Sequence, residues 1–364
     1  MQPINPLRND NKLKLGVFAF NGDAAANALV PERYEFNWEN SLDVAVQADA
    51  ARYEAIVPYA RWRSFVDAEH PSGFAFETFS WAAAVAARTR HACVMSTCHI
   101  TTAHPLVVAK AVSTIDHISG GRFALNIVCG WFKPEIEMFG VPMLDADDRY
   151  AYADEWTTAL KRLWTESDFF DMEGRFVTLR SGMSQPKPVQ KPHPILMNAG
   201  GSPQGQNFVA KHCDIAFVRT DSYDKTVAEI KAYRDFARAR YDREIQVWAN
   251  CAVIQGDTDE DARRFADYLI QNSDQAFIEG QLAQRQRNLS PEALKALKVK
   301  FAMGGPAHVL LGSPQTIATE LAKLSSVGID GTLLSWLDFQ NGVRAFNTQV
   351  LPILEDMGLR AAVN

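Results

Sequence analysis

The sequence predicts an α/β fold, a (β/α)8 TIM barrel formed by a single domain over residues 1–364. Three observations predict it: short apolar runs recur along the chain, helical patterns separate them, and these strand–helix pairs number about eight. Strands that alternate with helices form parallel βαβ units, and eight such units favour a closed barrel. The alternative is an open doubly wound sheet, but Asn21-Gly22-Asp23 follows the first strand in place of the glycine-rich fingerprint GxGxxG.

The first half of the chain supplies four strands. In the first predicted helix, Leu42, Val46 and Ala50 share one face, and a later helix reaches Gly120-Gly121, a pair that suits a helix end. The predicted elements are strand 13–20, helix 38–53, strand 54–58, helix 78–88, strand 92–97, helix 106–118 and strand 122–128.

The second half continues the alternation with two interruptions. Residues 166–193 contain a small hairpin near Phe170 followed by a proline-rich run, and residues 273–312 mix polar helix with Gly304-Gly305-Pro306. Long excursions from a barrel are usually lids or binding loops, so we expect both insertions at the C-terminal face of the barrel. The predicted elements are helix 148–164, strand 194–198, helix 203–211, strand 214–218, helix 223–241, strand 245–254, helix 259–272, helix 316–326, strand 331–335 and helix 341–357.

Composition excludes several classes of protein. The formal net charge is -6 and no basic run occurs, so neither nucleic-acid binding nor attachment to an anionic membrane is indicated. No segment is apolar enough for a membrane span or a signal peptide. The five cysteines are scattered without a CxxC pair, which favours reduced thiols in a cytoplasmic protein, although a structural disulfide remains an alternative.

Polar residues near the ends of the third and fourth strands are the first candidates for chemistry, because barrel active sites lie at strand C-termini. Asn126 interrupts an apolar strand, and it is either a ligand contact or a satisfied core amide. Thr97, His99 and His104 lie near the end of the third strand, where a histidine is more often structural. Trp131 could stack on a flat ring or simply pack. No cluster with metal-ligand spacing accompanies them, so we expect no metal.

A third candidate lies after the fifth barrel strand. Asn198-Ala199-Gly200-Gly201-Ser202-Pro203 has the pattern of a helix N-terminus, with a serine cap and proline in the first turn. The exposed amides and the hydroxyl either bind a phosphate or serve only as the cap. The chain has no P-loop lysine and no GxSxG motif, so nucleotide hydrolysis and serine-triad chemistry are not indicated.

Taken together, these segments resemble the luciferase-like flavin-dependent monooxygenases. The run from Ser113 to Phe123 is similar to the family's ATIDxLSxGR signature, and the run from Asn126 to Trp131 is similar to NVVSGW. Arg149-Tyr150, the PKPxQ segment at 186–190 and the GGS segment at 200–202 also match. The likeness covers about 13–354 and is nearest to the subgroup of pyrimidine and dimethylsulfone monooxygenases.

The resemblance implies an enzyme that uses FMN, as FMNH2, and molecular oxygen to place one oxygen atom in a small organic substrate. It implies an NAD(P)H:flavin reductase as the separate source of reduced flavin, and a homodimer or homotetramer. Thr97 and Asn126 are implied as catalytic residues beside flavin N5, which suggests a flavin-N5-peroxide route with a C4a-peroxide left open. The implied cofactor contacts are Tyr59, Asn126, Glu135, Arg149, Tyr150, Gly201 and Ser202.

Departures from the family pattern concern the substrate side. Cys129 replaces a usual Thr or Ser, and His99 and Trp131 stand with it as candidate substrate contacts. Residues 59–63 (Tyr-Ala-Arg-Trp-Arg) also differ. Arg61, Trp62 and Arg63 either recognise an anionic or aromatic substrate or are surface groups. The expected substrate is a heterocycle, an organosulfur compound or a halogenated aromatic compound. Two alternatives are a deazaflavin-dependent dehydrogenase of the same superfamily and a non-catalytic flavin-binding partner.

Overall fold

Eight parallel strands close into a barrel in the computed structural model, which describes residues 5–220, 223–284 and 290–362. The barrel order is β1-β2-β3-β4-β7-β8-β9-β11, and β11 pairs with β1 to close it. The prediction of a (β/α)8 barrel is therefore confirmed. The strands are β1 Lys14–Phe18, β2 Ala55–Val57, β3 Cys93–His99, β4 Phe123–Val128, β5 Phe170–Glu173, β6 Thr178–Gly182, β7 Ile195–Asn198, β8 Ile215–Val218, β9 Gln246–Gln255, β10 His308–Gly312 and β11 Gly331–Ser335.

The helices follow the predicted pattern closely and surround the strands. The predicted end at Gly120 is confirmed, because this glycine has a φ of 66°, a left-handed conformation that suits glycine. The helices are α1 Trp38–Ala50, α2 Thr78–Arg88, α3 Pro105–Ser119, α4 Lys133–Glu137, α5 Ala146–Thr165, α6 Pro203–His212, α7 Tyr223–Tyr241, α8 Asp259–Gln271, α9 Gln275–Ala283, α10 Pro291–Ala302, α11 Pro314–Ser326, α12 Phe339–Gln349 and α13 Leu351–Asp356.

The last predicted helix, 341–357, is wrong as one element, since the structure divides it into α12 and α13 at Val350. Pro352 lies in the first turn of α13. A proline has no backbone N–H, and its ring clashes with the carbonyl four residues earlier in a continuous helix. The chain therefore starts a new helix where the apolar periodicity alone suggested continuation.

The alternation of side chains along each strand separates two cores. One set of side chains packs outward against the helices, and the other set fills the barrel, where Val57, Met95 and Met197 are fully buried. Leu7, also fully buried, belongs to the same inner cluster, and its carbonyl accepts a bond from Gln246 near the beginning of β9. The apolar filling thus occupies the amino-end half of the barrel. The inward positions further along the strands are free to form a site.

The two insertions lie at different places. Residues 273–312 form α9, α10 and β10, and β10 pairs with the second half of β9, beyond the part that pairs with β8. This insertion lies at the carboxyl ends of the barrel strands, as expected, although its residues 285–289 lie outside the described chain.

The other insertion, 166–193, is not at the C-terminal face, and that prediction is wrong. Its hairpin, β5 and β6, is held on α5 by Glu155, which accepts bonds from the amides of Phe176 and Val177. Gln190, farther along the segment, bonds to the carbonyl of Phe123, the first residue of β4. The proline-rich run thus returns the chain to the amino ends of the strands, where β7 begins.

The five cysteines are buried and unpaired. Among the helices of the described chain, none combines the length and the apolar character needed to cross a lipid bilayer.

A buried ion pair joins the end of the chain to the amino end of the barrel. Glu54 and Arg360 are almost fully buried and their oxygen and nitrogen lie 2.6 Å apart. Glu54 also accepts bonds from Asn9, Asn11 and the amide of Leu15. These contacts replace the hydration that both charged groups lose on burial. Loss of one partner therefore leaves the other charge buried and uncompensated.

We therefore expect Glu54→Gln to lower the free energy of unfolding by about 3–5 kcal/mol. The matched control is Glu244→Gln, which removes the partner of Arg238 in an exposed pair and is expected to change stability by less than about 1 kcal/mol. Guanidinium unfolding of both variants measures the difference. Equal changes in the two variants would show that the Glu54–Arg360 pair does not hold the chain end in place.

Candidate active site

A cavity of about 370 Å³ opens at the carboxyl ends of the barrel strands. Its floor and walls continue the inward-facing rows of the barrel core, because inward positions recur at every second residue of a strand. Thus the row of Met95 continues to Thr97 and His99, and the row of Ala124 continues to Asn126 and Val128. Other lining residues from the strand ends are Phe18, Tyr59, Ala199, Phe217, Asn250, Ala252 and Ser335.

The 273–312 insertion covers one side of this cavity. Phe277 from α9 and the turn Met303–Pro306 after α10 line it, together with Phe265 from α8. His70 fastens α9 to the loop after β2, since its ring stacks on Phe277 and its Nε2 lies 3.1 Å from a carboxylate oxygen of Asp274. The insertion is therefore part of the wall of the site.

Thr97 and Asn126 lie side by side in the wall of the cavity. The parallel register pairs these two residues on β3 and β4. Asn126 Nδ2 donates to Thr97 Oγ1 at 3.1 Å, and Thr97 Oγ1 donates to the carbonyl of Pro58 at 2.5 Å. The structure therefore brings together the two residues that were expected to be catalytic.

This hydrogen-bond chain fixes the orientation of the Asn126 amide. The carbonyl of Pro58 can only accept, so the Thr97 proton points to it and the Thr97 oxygen must accept from Asn126. Asn126 Oδ1 is left buried and without a partner among the described residues. The free group is thus an acceptor. The proton of Thr97 is already used in the bond to Pro58, so the hydroxyl offers no donor to the cavity.

A helix N-terminus adjoins the cavity. Ala199 lines the cavity, and Gly201 and Ser202 follow it at the start of α6. Ser202 caps the helix, its Oγ accepting from the amide of Gly205 at 3.2 Å. A Cβ on Gly201 would meet open space, so the exposed amides at this end are accessible to an anion.

Side chains of α5 complete this end of the site. The hydroxyl of Tyr150 packs against Gly200 and Gly205, where a Cβ on either glycine would lie under 3 Å from it. Burial raises the pKa of Tyr150, and a hydrogen bond with Ser202 opposes that rise. Arg149 donates to the carbonyl of Gly130 at 3.2 Å, while its Nε is buried without a partner among the described residues. The cation of Arg149 and the hydroxyl of Tyr150 thus lie near the N-terminus of α6.

Glu135, expected at the flavin, lies behind the cavity wall. It is fully buried on α4, 3.4 Å from Arg61 Nη1, and it accepts the amide of Trp62 at 2.6 Å. Its other oxygen lies 3.5 Å from Nδ1 of His99. Burial raises the pKa of Glu135, while Arg61 and the backbone amides of Trp62 and Arg63 lower it. Glu135 is therefore not a lining residue, but it contacts Arg61 and His99, which line the cavity.

The remaining candidates divide between the cavity and the protein interior. Tyr59, His99 and Trp131 line the cavity. Cys129 is not among the lining residues, since its sulfur is buried and accepts from Asn198 Nδ2 at 3.7 Å. His104 is exposed and caps α3 by accepting the amide of Leu106. The structure gives His104 a structural role.

Several lining residues were missed in the sequence. Asn250 on β9 lines the cavity with Oδ1 buried and unpaired within the described residues, and the signal that identified Asn126, an amide in an apolar strand, was present there too. Asp23 lines the cavity and pairs with Arg33 at 2.9 Å. Trp336 follows β11. No group of three or more metal-ligating side chains is assembled in the described part of the chain.

Comparisons with known proteins agree with this geometry. The family model for luciferase-like monooxygenases matches residues 13–331. An FMNH2-dependent dimethylsulfone monooxygenase of Pseudomonas putida is 31% identical over 70% of this chain and 71% of its own. A pyrimidine monooxygenase of Cronobacter sakazakii is 32% identical over 76% of this chain and 84% of its own.

A solved structure, that of a long-chain alkane monooxygenase, superposes with a TM-score of 0.85 at 20% identity, covering 97% of this chain and 94% of the other. This likeness concerns the fold alone, and the family assignment rests on the sequence match. The chain belongs to the luciferase-like monooxygenase family.

Proposed function

We propose that this protein is an FMNH2-dependent monooxygenase that transfers one atom of molecular oxygen to a small organic substrate and releases the other as water. The substrate classes are a heterocycle, an organosulfur compound or a halogenated aromatic compound. A separate NAD(P)H:flavin reductase supplies the reduced flavin, in keeping with the FMNH2-dependent relatives. We also expect a homodimer or homotetramer, which light scattering on the purified protein can measure.

The observation that carries the proposal is the free acceptor in the cavity wall. A reduced flavin has an N5–H donor that the oxidised ring lacks, and Asn126 Oδ1 is a buried acceptor without a partner among the described residues. The amide cannot rotate away without breaking its bond to Thr97. The residues present thus fit a reduced flavin better than an oxidised one.

The other end of the site fits the phosphate of FMN. Ser202, the amide of Gly201 and the positive end of the α6 dipole favour a dianion at this place. Arg149 adds a cation, and Tyr150 a hydroxyl beside Ser202. Because Ala199 lines the cavity only two residues before Gly201, a ring in the cavity and a phosphate at the helix belong to one ligand.

The protein supplies position and polarity, and the flavin, when bound, supplies the two electrons that activate oxygen. Asn126 and Thr97 hold the ring at a fixed orientation. Phe65, Trp131 and Phe277 give the cavity apolar walls, which exclude water from the reacting centre. Exclusion of water favours transfer of oxygen to the substrate over loss of the activated oxygen without a product.

Oxygen labelling tests the function. With FMN, NADH and an added flavin reductase, labelled oxygen gas is expected to place one labelled atom in a product from a panel of heterocyclic, organosulfur and halogenated aromatic compounds. Mass spectrometry of the products measures it. Absence of label across the panel contradicts the proposal, and tight binding of a deazaflavin with no binding of FMN would point to a dehydrogenase.

Asn126→Ala is expected to slow oxygenation by about 10- to 1,000-fold, in the range seen when one fixed polar group is removed from an active site. It should also weaken binding of FMNH2 more than binding of oxidised FMN, since only the reduced ring loses a partner. Anaerobic titration measures both affinities. Asn207→Ala, on the outer helix α6, is the control, and equal loss of affinity for the two flavins would remove the acceptor role from Asn126.

Ser202→Ala is expected to weaken FMN binding by about tenfold, the equivalent of one hydrogen bond to a charged group. Ser313→Ala is a matched control, because Ser313 caps α11 before a proline as Ser202 caps α6. Both variants should lose about 1 kcal/mol of stability through the lost cap. Fluorescence titration should show a weaker FMN complex for Ser202→Ala alone; the same affinity in both variants would exclude phosphate binding by Ser202.

A further inference from the structure

Arg61 lies inside the cavity although its two neighbours along the chain turn outward. Its side chain is 9% exposed, whereas Trp62 is 44% exposed and Arg63 is also exposed. The guanidinium carbon lies 4.4 Å from the ring centroid of Phe65 and 5.6 Å from that of Trp131. Of the two arginines that the sequence offered after β2, one is therefore buried in the wall of the site.

The charge of Arg61 is already compensated. Glu135, fully buried, lies 3.4 Å from Arg61 Nη1 and is held in place by the amide of Trp62. The neighbouring His99 adds no charge near neutral pH, since burial, and then the nearby Arg61, lower its pKa to about 4. With the carboxylate ionised, the cluster of Arg61, Glu135 and His99 carries no net charge.

The Nε of Arg61 is a buried donor without a hydrogen-bond partner among the described residues. A buried N–H left unpaired costs about 1–3 kcal/mol, and a guanidinium can only donate. Because Arg61 lines the cavity, a ligand there can supply the missing acceptor.

The balance of charge decides which acceptor suits this position. An uncharged sulfonyl or carbonyl oxygen can receive the Nε–H bond and leave the cluster neutral. A carboxylate or sulfonate of the same shape adds a negative charge beside Glu135, among the rings of Phe65 and Trp131. An uncompensated charge in such surroundings costs several kcal/mol unless a proton is taken up with it.

We propose that Arg61 determines specificity at the substrate end of the cavity, admitting uncharged compounds with a sulfonyl or carbonyl oxygen and discriminating against carboxylates and sulfonates. Phe65 and Trp131 contact the remainder of the substrate. The inference rests on the proposed function, because it assigns the rest of the cavity to the flavin.

Three probes of nearly the same shape test it: acetophenone, benzoate and α-methylstyrene, which carry a carbonyl, a carboxylate and a methylene at one position. Their dissociation constants for the FMN-loaded protein are measured by ligand-observed NMR, without turnover. Acetophenone is expected to bind about tenfold or more tightly than either of the others, as the gain of one bond to a charged donor and the cost of a buried anion require. Dimethyl sulfone should likewise bind more tightly than methanesulfonate.

Two substitutions assign the effect to the cluster. Arg61→Met should abolish the preference for acetophenone over α-methylstyrene. Glu135→Gln, which keeps the shape and removes the compensating charge, should raise the affinity for benzoate relative to acetophenone by about tenfold or more. Arg63→Met removes one positive charge two residues away on the exposed side, and the ranking of the probes should stay as in the unaltered protein.

Three results overturn the proposal: benzoate binding as tightly as acetophenone, neither uncharged probe binding at millimolar concentration, or Arg63→Met acting like Arg61→Met. The outcome is separable from that of the proposed function. If the ranking holds while labelled oxygen enters no product, the subsite stands and the monooxygenase assignment falls. If label enters a product while the ranking fails, Arg61 has no part in specificity.

Discussion

The direction of one hydrogen-bond chain governs the chemistry that the cavity can support. It runs from the amide of Asn126 to the hydroxyl of Thr97 and ends at the carbonyl of Pro58, so it crosses the ends of three neighbouring strands. Since a carbonyl cannot donate, the chain has one direction and leaves an acceptor at its open end. A shift of one residue in the register of β3 and β4 would turn these side chains toward the helices. The register of the barrel strands therefore sets the polarity of the site.

Much of this arrangement could be predicted from the sequence, because local pattern and global fold agree over most of the chain. The alternation of strands and helices predicted the barrel, and the rule that sites lie at strand ends led to Asn126 and Thr97. Helix α2 has the bounds that its periodicity indicated, Thr78–Arg88. Helices of this kind are specified by their own spacing of apolar residues, so long-range contacts were not needed to find them.

The failures have the opposite cause. Strand β10 depends on pairing with the extension of β9. The local pattern of residues His308–Gly312 does not predict this contact. The location of residues 166–193 depends on Gln190 reaching the beginning of β4. Likewise, local pattern could not show that Arg61 turns inward and Arg63 outward, because Arg61 is paired with Glu135, a buried carboxylate far along the chain. Each of these features is fixed by partners distant in sequence.

One side of the cavity is formed by residues of α8, of α9 and of the turn at 303–306, which all lie between two barrel strands in the sequence. The residues assigned to the flavin phosphate come from elsewhere, on α5 and α6. Natural variation in this stretch, including gain or loss of whole helices, can therefore reshape the entrance while the barrel strands are preserved. The substrate range of such proteins can therefore diverge without a change in cofactor recognition. Exchanging this stretch between relatives is a rational way to change which substrate the enzyme accepts.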